Sequence, residues 1–112
     1  MPNETNGSAR KYFRARVRDK VIFIIDQCMP EMVGTALDDL NELVMGGRGL
    51  GVTEALPFPE DELNRLAEEL GRLRATDKME ALRFLVGKLI EQGIPDEAFK
   101  GFPRPVPVEE VV

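Results

Sequence analysis

The fold of this chain is decided by residues 13–28, FRARVRDKVIFIIDQC. No glycine or proline interrupts the longer stretch from Ala9 to Met29 that contains them. Apolar residues recur at every third or fourth position, the spacing of one helix side: Phe13, Val17, Val21, Ile24 and Cys28. A second apolar stripe flanks the first. We therefore expect a central helix that is packed on several sides by neighbouring helices or by a second subunit.

The same stretch also contains a strand pattern. Residues 13–18 alternate apolar and basic side chains, and residues 21–25 are rich in β-branched types. A strand followed by two helices resembles the ribbon-helix-helix family of DNA-binding proteins, and the resemblance implies that Arg14, Arg16 and Arg18 enter the major groove. Length favours the helix, because a continuous helical stripe over so many unbroken residues is long for one strand.

A second helix and a long loop follow. Pro30 suits the first turn of a helix, which we expect to run to about Met45 and to be stopped by Gly46-Gly47. The segment Gly46–Phe58 then predicts a glycine-rich loop that is long for a compact domain. Loops of that length are either functional or mobile.

Two further helices form a predicted antiparallel hairpin. The third begins at Pro59 with an acidic first turn, and it connects to the fourth through a few residues around Ala75. Asp77, followed three residues later by Glu80, resembles a capping box for the fourth helix. Gly93 suits its C-terminal cap. The predicted fold is therefore all-α, with about four helices in a small bundle.

The chain is expected to divide into three parts. Residues 1–8 are polar and predict a mobile N-terminal arm. Residues 9–100 form a single helical domain that ends in a short turn at 96–100. Residues 101–112 are rich in proline and predict an extended tail.

The composition argues against catalysis. The 112 residues include no histidine, no tryptophan and one cysteine, Cys28, which we expect to be a small core residue. Ser-His-Asp and Cys-His sites are excluded, as are zinc sites built on histidine or on several cysteines. We predict no catalytic residue, no metal ligand and no cofactor. One cysteine, a polar N-terminus and no long apolar run favour a cytoplasmic, non-membrane protein, and the Arg-, Leu- and Asp-rich composition suggests a bacterial one.

The basic residues are concentrated near the N-terminus. The net charge is −5, yet residues 1–20 hold six basic and two acidic side chains. A local basic segment can contact phosphates even in an acidic chain. The candidate nucleic-acid contacts are Arg10, Lys11, Arg14, Arg16, Arg18 and Lys20.

Binding to another protein is the function favoured by these patterns. A small chain without catalytic groups acts by masking, bridging or sequestering a partner, for example as an anti-activator of a transcription regulator. Apolar anchors flanked by charge characterise such surfaces, and a homodimer through the first helix would cover its surplus of apolar side chains. The candidate interface residues are Tyr12, Phe13, Arg14, Val17, Arg18, Val21, Ile22 and Ile25.

One enzymatic alternative remains. Asp39 and Glu42, like Asp77 and Glu80, are three positions apart in predicted helices. Carboxylate pairs at that spacing bind Mg²⁺ in all-α hydrolases of nucleotides, where they must converge on the metal. This alternative therefore requires at least three of these carboxylates to converge.

Overall fold

The computed structural model describes residues 2–103, and the side chains from residue 7 onward. Within these residues it contains helices and no strand, so the predicted all-α bundle is confirmed. The four helices are α1 (Pro2–Ile22), α2 (Val33–Gly49), α3 (Glu60–Thr76) and α4 (Lys78–Glu91). Three short helical turns join or follow them, at Phe23–Gln27, Pro30–Met32 and Asp96–Phe99.

The N-terminal helix differs from its prediction at both ends. It begins at Pro2, so residues 2–8 of the predicted arm continue the helix. It ends in the wider π-helical turn Phe23–Gln27, after which the backbone is extended at Cys28. The strand alternative for residues 13–18 is wrong, because these residues lie within α1. The helical period, not the local alternation, matches the buried positions.

The apolar stripe of α1 is buried within its own chain. Phe13, Val17, Val21, Ile24 and Cys28 are all at most 5% exposed. They pack in one core with residues of α2, α3, α4 and the C-terminal turn Asp96–Phe99. A second subunit is therefore not needed to cover this stripe.

The second helix passes through the glycines that were expected to stop it. Gly46 and Gly47 are both helical, and α2 continues to Gly49. A Cβ atom at Gly47 would lie 2.5 Å from Cε1 of Phe13, so the missing side chain makes room for this ring. The chain leaves the helix at Gly51, whose φ of 75° favours glycine.

The connection between α2 and α3 is anchored at its far end. Asn41 of α2 donates to the carbonyl of Phe58 (3.1 Å) and accepts from its N–H (2.8 Å). Leu56 donates its N–H to the carbonyl of Gln92 (2.9 Å), and the Gln92 amide donates back to the Leu56 carbonyl (2.9 Å). These bonds satisfy backbone groups that an isolated loop would leave to water.

The α3–α4 hairpin follows its sequence signals closely. Asp77 alone separates the helices, and its carboxylate accepts from the N–H groups of Met79 (3.0 Å) and Glu80 (3.3 Å). Glu80 pairs with Arg83 at 2.6 Å, whereas the Asp77 N–H donates to the carbonyl of Leu73. The predicted capping box is thus formed only in its first half.

The C-terminal end of α4 has the hydrogen bonds of a Schellman motif. Gly93 has a φ of 113° and donates to the carbonyl of Ile90 at 3.0 Å. Ile94, which is buried, donates to the carbonyl of Leu89 at 3.1 Å. The C-terminal turn then packs against α1. Of the predicted tail, residues 104–112 lie outside the described residues.

Candidate functional site

The side chain of Arg18 on α1 contacts the C-terminal part of its own chain. Its guanidinium donates to the carbonyl of Lys100 at 2.7 Å and to that of Ala98 at 3.4 Å. The same group lies 4.1 Å from the centre of the Phe102 ring, within the range of a cation–π contact. Arg18 therefore holds the segment after the C-terminal turn against α1.

Arg14 and Arg10 continue this row toward the N-terminus. Arg14 forms a salt bridge of 3.1 Å with Glu97 of the C-terminal turn. Arg10 donates to the carbonyls of Gly51 and Val52, each at 3.4 Å. Residues four positions apart share one side of a helix, so this basic row contacts segments of its own chain. Three of the six predicted nucleic-acid contacts thus bind backbone carbonyls or Glu97 of their own chain.

The other basic residues of α1 are Lys11, Arg16 and Lys20, and the first two are exposed. Arg16 donates to the hydroxyl of Tyr12 at 3.3 Å and lies 5.8 Å from its ring centre. Lys20 lies 5.5 Å from the centre of the Phe23 ring. Arg16 and Lys20 are therefore next to aromatic side chains at the surface.

The predicted interface residues separate into two groups. Phe13, Val17, Val21 and Ile25 are buried in the core of the chain, so they do not form a surface in this structure. Of the remaining four, Arg14 and Arg18 bind the C-terminal segment, and Ile22 is partly buried. Only Tyr12, which is 65% exposed, is a largely free apolar anchor. The prediction placed the surface on the helix side that packs inward.

An apolar depression of about 360 Å³ lies between α1 and the C-terminal half of α2. Its walls include Tyr12 and Arg16 from α1, and Glu42 and Leu43 from α2. Leu50, just beyond α2, also lines it and is 81% exposed. Exposed apolar side chains that lie together, such as this leucine and Tyr12, are typical of protein interaction sites.

A second depression of about 260 Å³ lies at the other end of the same helix pair. Phe23 of the π-helical turn lines it together with Thr35 and Asp39 of α2. Met29 and Met32 complete it, and both are exposed. Sequence reasoning missed these two methionines, although their position beside Pro30 marks them as residues of a turn.

We call this surface the α1–α2 face. It consists of Tyr12, Arg16, Lys20, Phe23, Met29, Met32, Thr35, Asp39, Glu42, Leu43 and Leu50. Its α1 side is basic and its α2 side is acidic. No ion pair of the described residues involves Arg16, Lys20, Asp39 or Glu42. The face thus combines exposed apolar side chains with charged groups that form no ion pair within this part of the chain.

The four carboxylates of the magnesium alternative do not come together. Asp77 caps α4 and Glu80 pairs with Arg83, whereas Asp39 and Glu42 line the depressions of the α1–α2 face. Among the side chains of residues 7–103, no group of three or more metal-ligating residues is close enough to hold an ion. The convergence that the magnesium alternative requires is therefore absent from the described residues.

Cys28 has a structural environment. It is 4% exposed, and its thiol donates to the carbonyl of Ile24 at 3.4 Å. Arg74 of α3 approaches the sulfur to 3.4 Å and donates to the carbonyls of Ile25 (2.9 Å) and Cys28. These contacts satisfy backbone groups at the end of the π-helical turn.

A third depression, of about 620 Å³, lies between α3 and α4 and has a mainly charged lining. Glu69 and Arg72 form an ion pair there. The hydrogen bond from Arg72 to the Glu69 carboxylate, together with its negative charge, raises the pKa of the Arg72 guanidinium. Lys88 and Arg65 also line it. The acidic and basic side chains of this depression balance each other, so its lining does not favour a ligand of either charge.

Comparison of the chain with known protein families, with curated proteins and with solved structures finds no match. In the part of the chain that the structure describes, none of the helices is both long enough and apolar enough to cross a membrane.

Proposed function

We propose that this chain is a non-enzymatic regulatory or adaptor protein that binds another protein at the α1–α2 face and thereby masks or sequesters it. The observation that supports the proposal is the grouping of exposed apolar side chains on this face: Tyr12, Phe23, Met29, Met32 and Leu50.

The chemistry of the face suits a protein partner. Contiguous exposed apolar surface rimmed by polar groups is typical of interaction sites. Tyr, Met and Arg are enriched in the centre of such interfaces, and all three types line the depressions here. Methionine side chains adapt to irregular partner surfaces because they are unbranched.

The finer parts of the proposal follow the composition. We place the protein in a bacterial cytoplasm, where a single cysteine remains reduced. The partner that we propose is a transcription regulator, with this chain as its anti-activator. Self-association as a homodimer belongs to the same proposal, because a second copy can cover exposed apolar surface.

Nucleic-acid binding is the second candidate, and exposed Lys11 and Arg16 favour it. Asp39 and Glu42 oppose it, because these carboxylates lie on the helix next to Arg16 and Lys20 and would repel a phosphate backbone. Arg10, Arg14 and Arg18 already bind backbone carbonyls or Glu97, so three of the six candidate contacts remain for a nucleic acid. A protein partner therefore fits the described residues better.

The proposal predicts that a charge at Leu50 abolishes partner capture. Leu50→Glu places a carboxylate in the apolar depression, so we expect the captured amount to fall at least about tenfold. Met79→Glu is the matched control, because Met79 is 51% exposed on α4, outside the face. The measurement is affinity capture from bacterial lysate with the whole chain, with and without nuclease.

Two results would contradict the proposal. One is capture that disappears with nuclease, which would favour the nucleic-acid candidate. The other is equal capture by Leu50→Glu, Met79→Glu and the unmodified chain, which would place the partner elsewhere. Circular dichroism of both variants checks that they remain helical.

A further inference from the structure

The two sides of the α1–α2 face have opposite charges at matching levels. Arg16 and Glu42 line the same depression, on α1 and α2 respectively. Lys20 lies over the ring of Phe23, and Phe23 lines the other depression together with Asp39. Each of the two levels therefore has one basic side chain on α1 and one acidic side chain on α2.

Such a surface is complementary to itself under one kind of symmetry. A two-fold axis that runs along the groove between α1 and α2 exchanges the helices sideways and leaves each level unchanged. It places α1 of one copy on α2 of the other, so that Arg16 faces the partner's Glu42 and Lys20 faces the partner's Asp39. Every such pair occurs twice in the dimer.

The alternative symmetry does not use these charges. A two-fold axis across the helices would place α1 on α1 and α2 on α2, which brings basic residues together on one side and acidic residues together on the other. Like charges at an interface oppose association and suppress that arrangement. The charge pattern therefore selects the axis along the groove.

The following inference rests on the protein-binding role proposed above for the α1–α2 face. We propose that, in the absence of another partner, a second copy of this chain binds the face about a two-fold axis parallel to the groove. Tyr12 of each copy then faces Leu50 of the other copy at one end of the seam. A second copy and a different protein exclude each other at this face, so self-association regulates access to it.

The test is a charge exchange between two variants of the whole chain. R16E places two carboxylates at each of the two cross-subunit contacts, and E42R places two guanidinium groups there. We expect each variant alone to weaken the dimer at least about tenfold, because like charges replace attractive pairs at both contacts. An equimolar mixture restores both attractive pairs in the mixed dimer, so we expect its dissociation constant to return to within about threefold of the original. Sedimentation velocity over a concentration series measures it.

Mixing separates contacts between copies from contacts within one chain. Arg16 and Glu42 line the same depression in a single chain, so a double variant could recover for an intramolecular reason. Recovery in a mixture of two single variants requires association. R65E is the control, because Arg65 is exposed on α3 and lies outside the face. It should leave the dissociation constant unchanged.

The possible outcomes either support or overturn the inference. It is overturned by a chain that stays monomeric at all concentrations, by R16E or E42R dimerising like the unmodified chain, or by a mixture that does not recover. A monomeric chain that still loses its lysate partner on Leu50→Glu would keep the proposed function and reject this inference. If the mixture recovers but the chain captures no partner from lysate, the result supports this inference and rejects the proposed function.

Discussion

Gly47 lies against an aromatic ring of another helix, which explains why this position has no side chain. The position is helical and buried, and a Cβ atom there would meet Cε1 of Phe13 at 2.5 Å and Cδ1 at 2.7 Å. Gly46, its neighbour, is helical as well, yet a Cβ atom there would have nothing within 4 Å. The sequence shows two identical adjacent residues, so local signals predicted one helix stop for both. Only the position of Phe13, 34 residues away along the sequence, distinguishes them.

The two glycines therefore respond in opposite directions to alanine. G47A forces the Phe13 ring to move, and we expect it to lower the free energy of unfolding by about 1–3 kcal/mol. G46A adds a better helix former in open space, so we expect a gain of up to about 1 kcal/mol. Urea unfolding followed by circular dichroism measures both. Equal effects of the two substitutions would contradict the assigned role of the ring.

At the scale of elements, a residue of α3 binds the backbone of the turn that follows α1. The π-helical turn leaves backbone carbonyls free, and Arg74 donates to those of Ile25 and Cys28. Cations near a helix C-terminus also interact favourably with the helix dipole. Arg74 thus joins the π-helical turn after α1 to α3 by hydrogen bonds to the backbone.

Loss of this arginine should destabilise the fold. We expect R74A to lower the free energy of unfolding by about 2 kcal/mol, because partly buried carbonyls lose charged donors. R65A is the comparison on the same helix, since Arg65 makes only an exposed 3.9 Å contact with Asp61, and we expect less than about 0.5 kcal/mol from it. Chemical denaturation of both variants provides the measurement. A similar small loss in each would show that Arg74 does not support the end of α1.

The helices differ in how far their sequence predicts them. Asp77 and Gly93 act where their types predicted, because an N-cap carboxylate and a left-handed glycine are local devices. The beginning of α1 and the end of α2 were misplaced. The predicted beginning of α1 rests on its apolar stripe, whereas the helix extends beyond this stripe to Pro2. In α2, Gly47 makes room for a ring from another helix and does not stop the helix, which a local signal does not show.

At the scale of the whole molecule, the basic row of α1 joins distant parts of the chain. Arg18 reaches the carbonyl of Lys100, 82 positions away, and Arg10 reaches that of Val52, 42 positions away. From the sequence these arginines were candidates for phosphate or partner contacts. Their partners are mostly backbone carbonyls, which have no side-chain signature, so no sequence pattern predicts the pairing. The same limit applies to the α1–α2 face, which exists only once two helices pack.

Removing Arg18 should loosen the C-terminal turn without unfolding the bundle. We expect R18A to accelerate amide hydrogen exchange in residues 96–102 about fivefold, because the carbonyls of Lys100 and Ala98 lose their donor. K11A, which removes an exposed lysine of the same helix, should leave this exchange unchanged. Exchange followed by mass spectrometry resolves the segment. Unchanged rates in R18A would mean that the Arg14–Glu97 salt bridge and the packing of Phe99 hold the turn without Arg18.

The contact between Arg18 and Lys100 also sets an order of events during synthesis. A ribosome adds about 5–20 residues per second, so the acceptor for Arg18 is made about 4–16 s after the arginine itself. Until then the flank of α1 that the C-terminal turn covers is open to solvent and to chaperones. The helices can associate earlier, but the turn can dock only after Lys100 has been made, and a nascent chain stalled before Lys100 would display a surface that the turn otherwise covers.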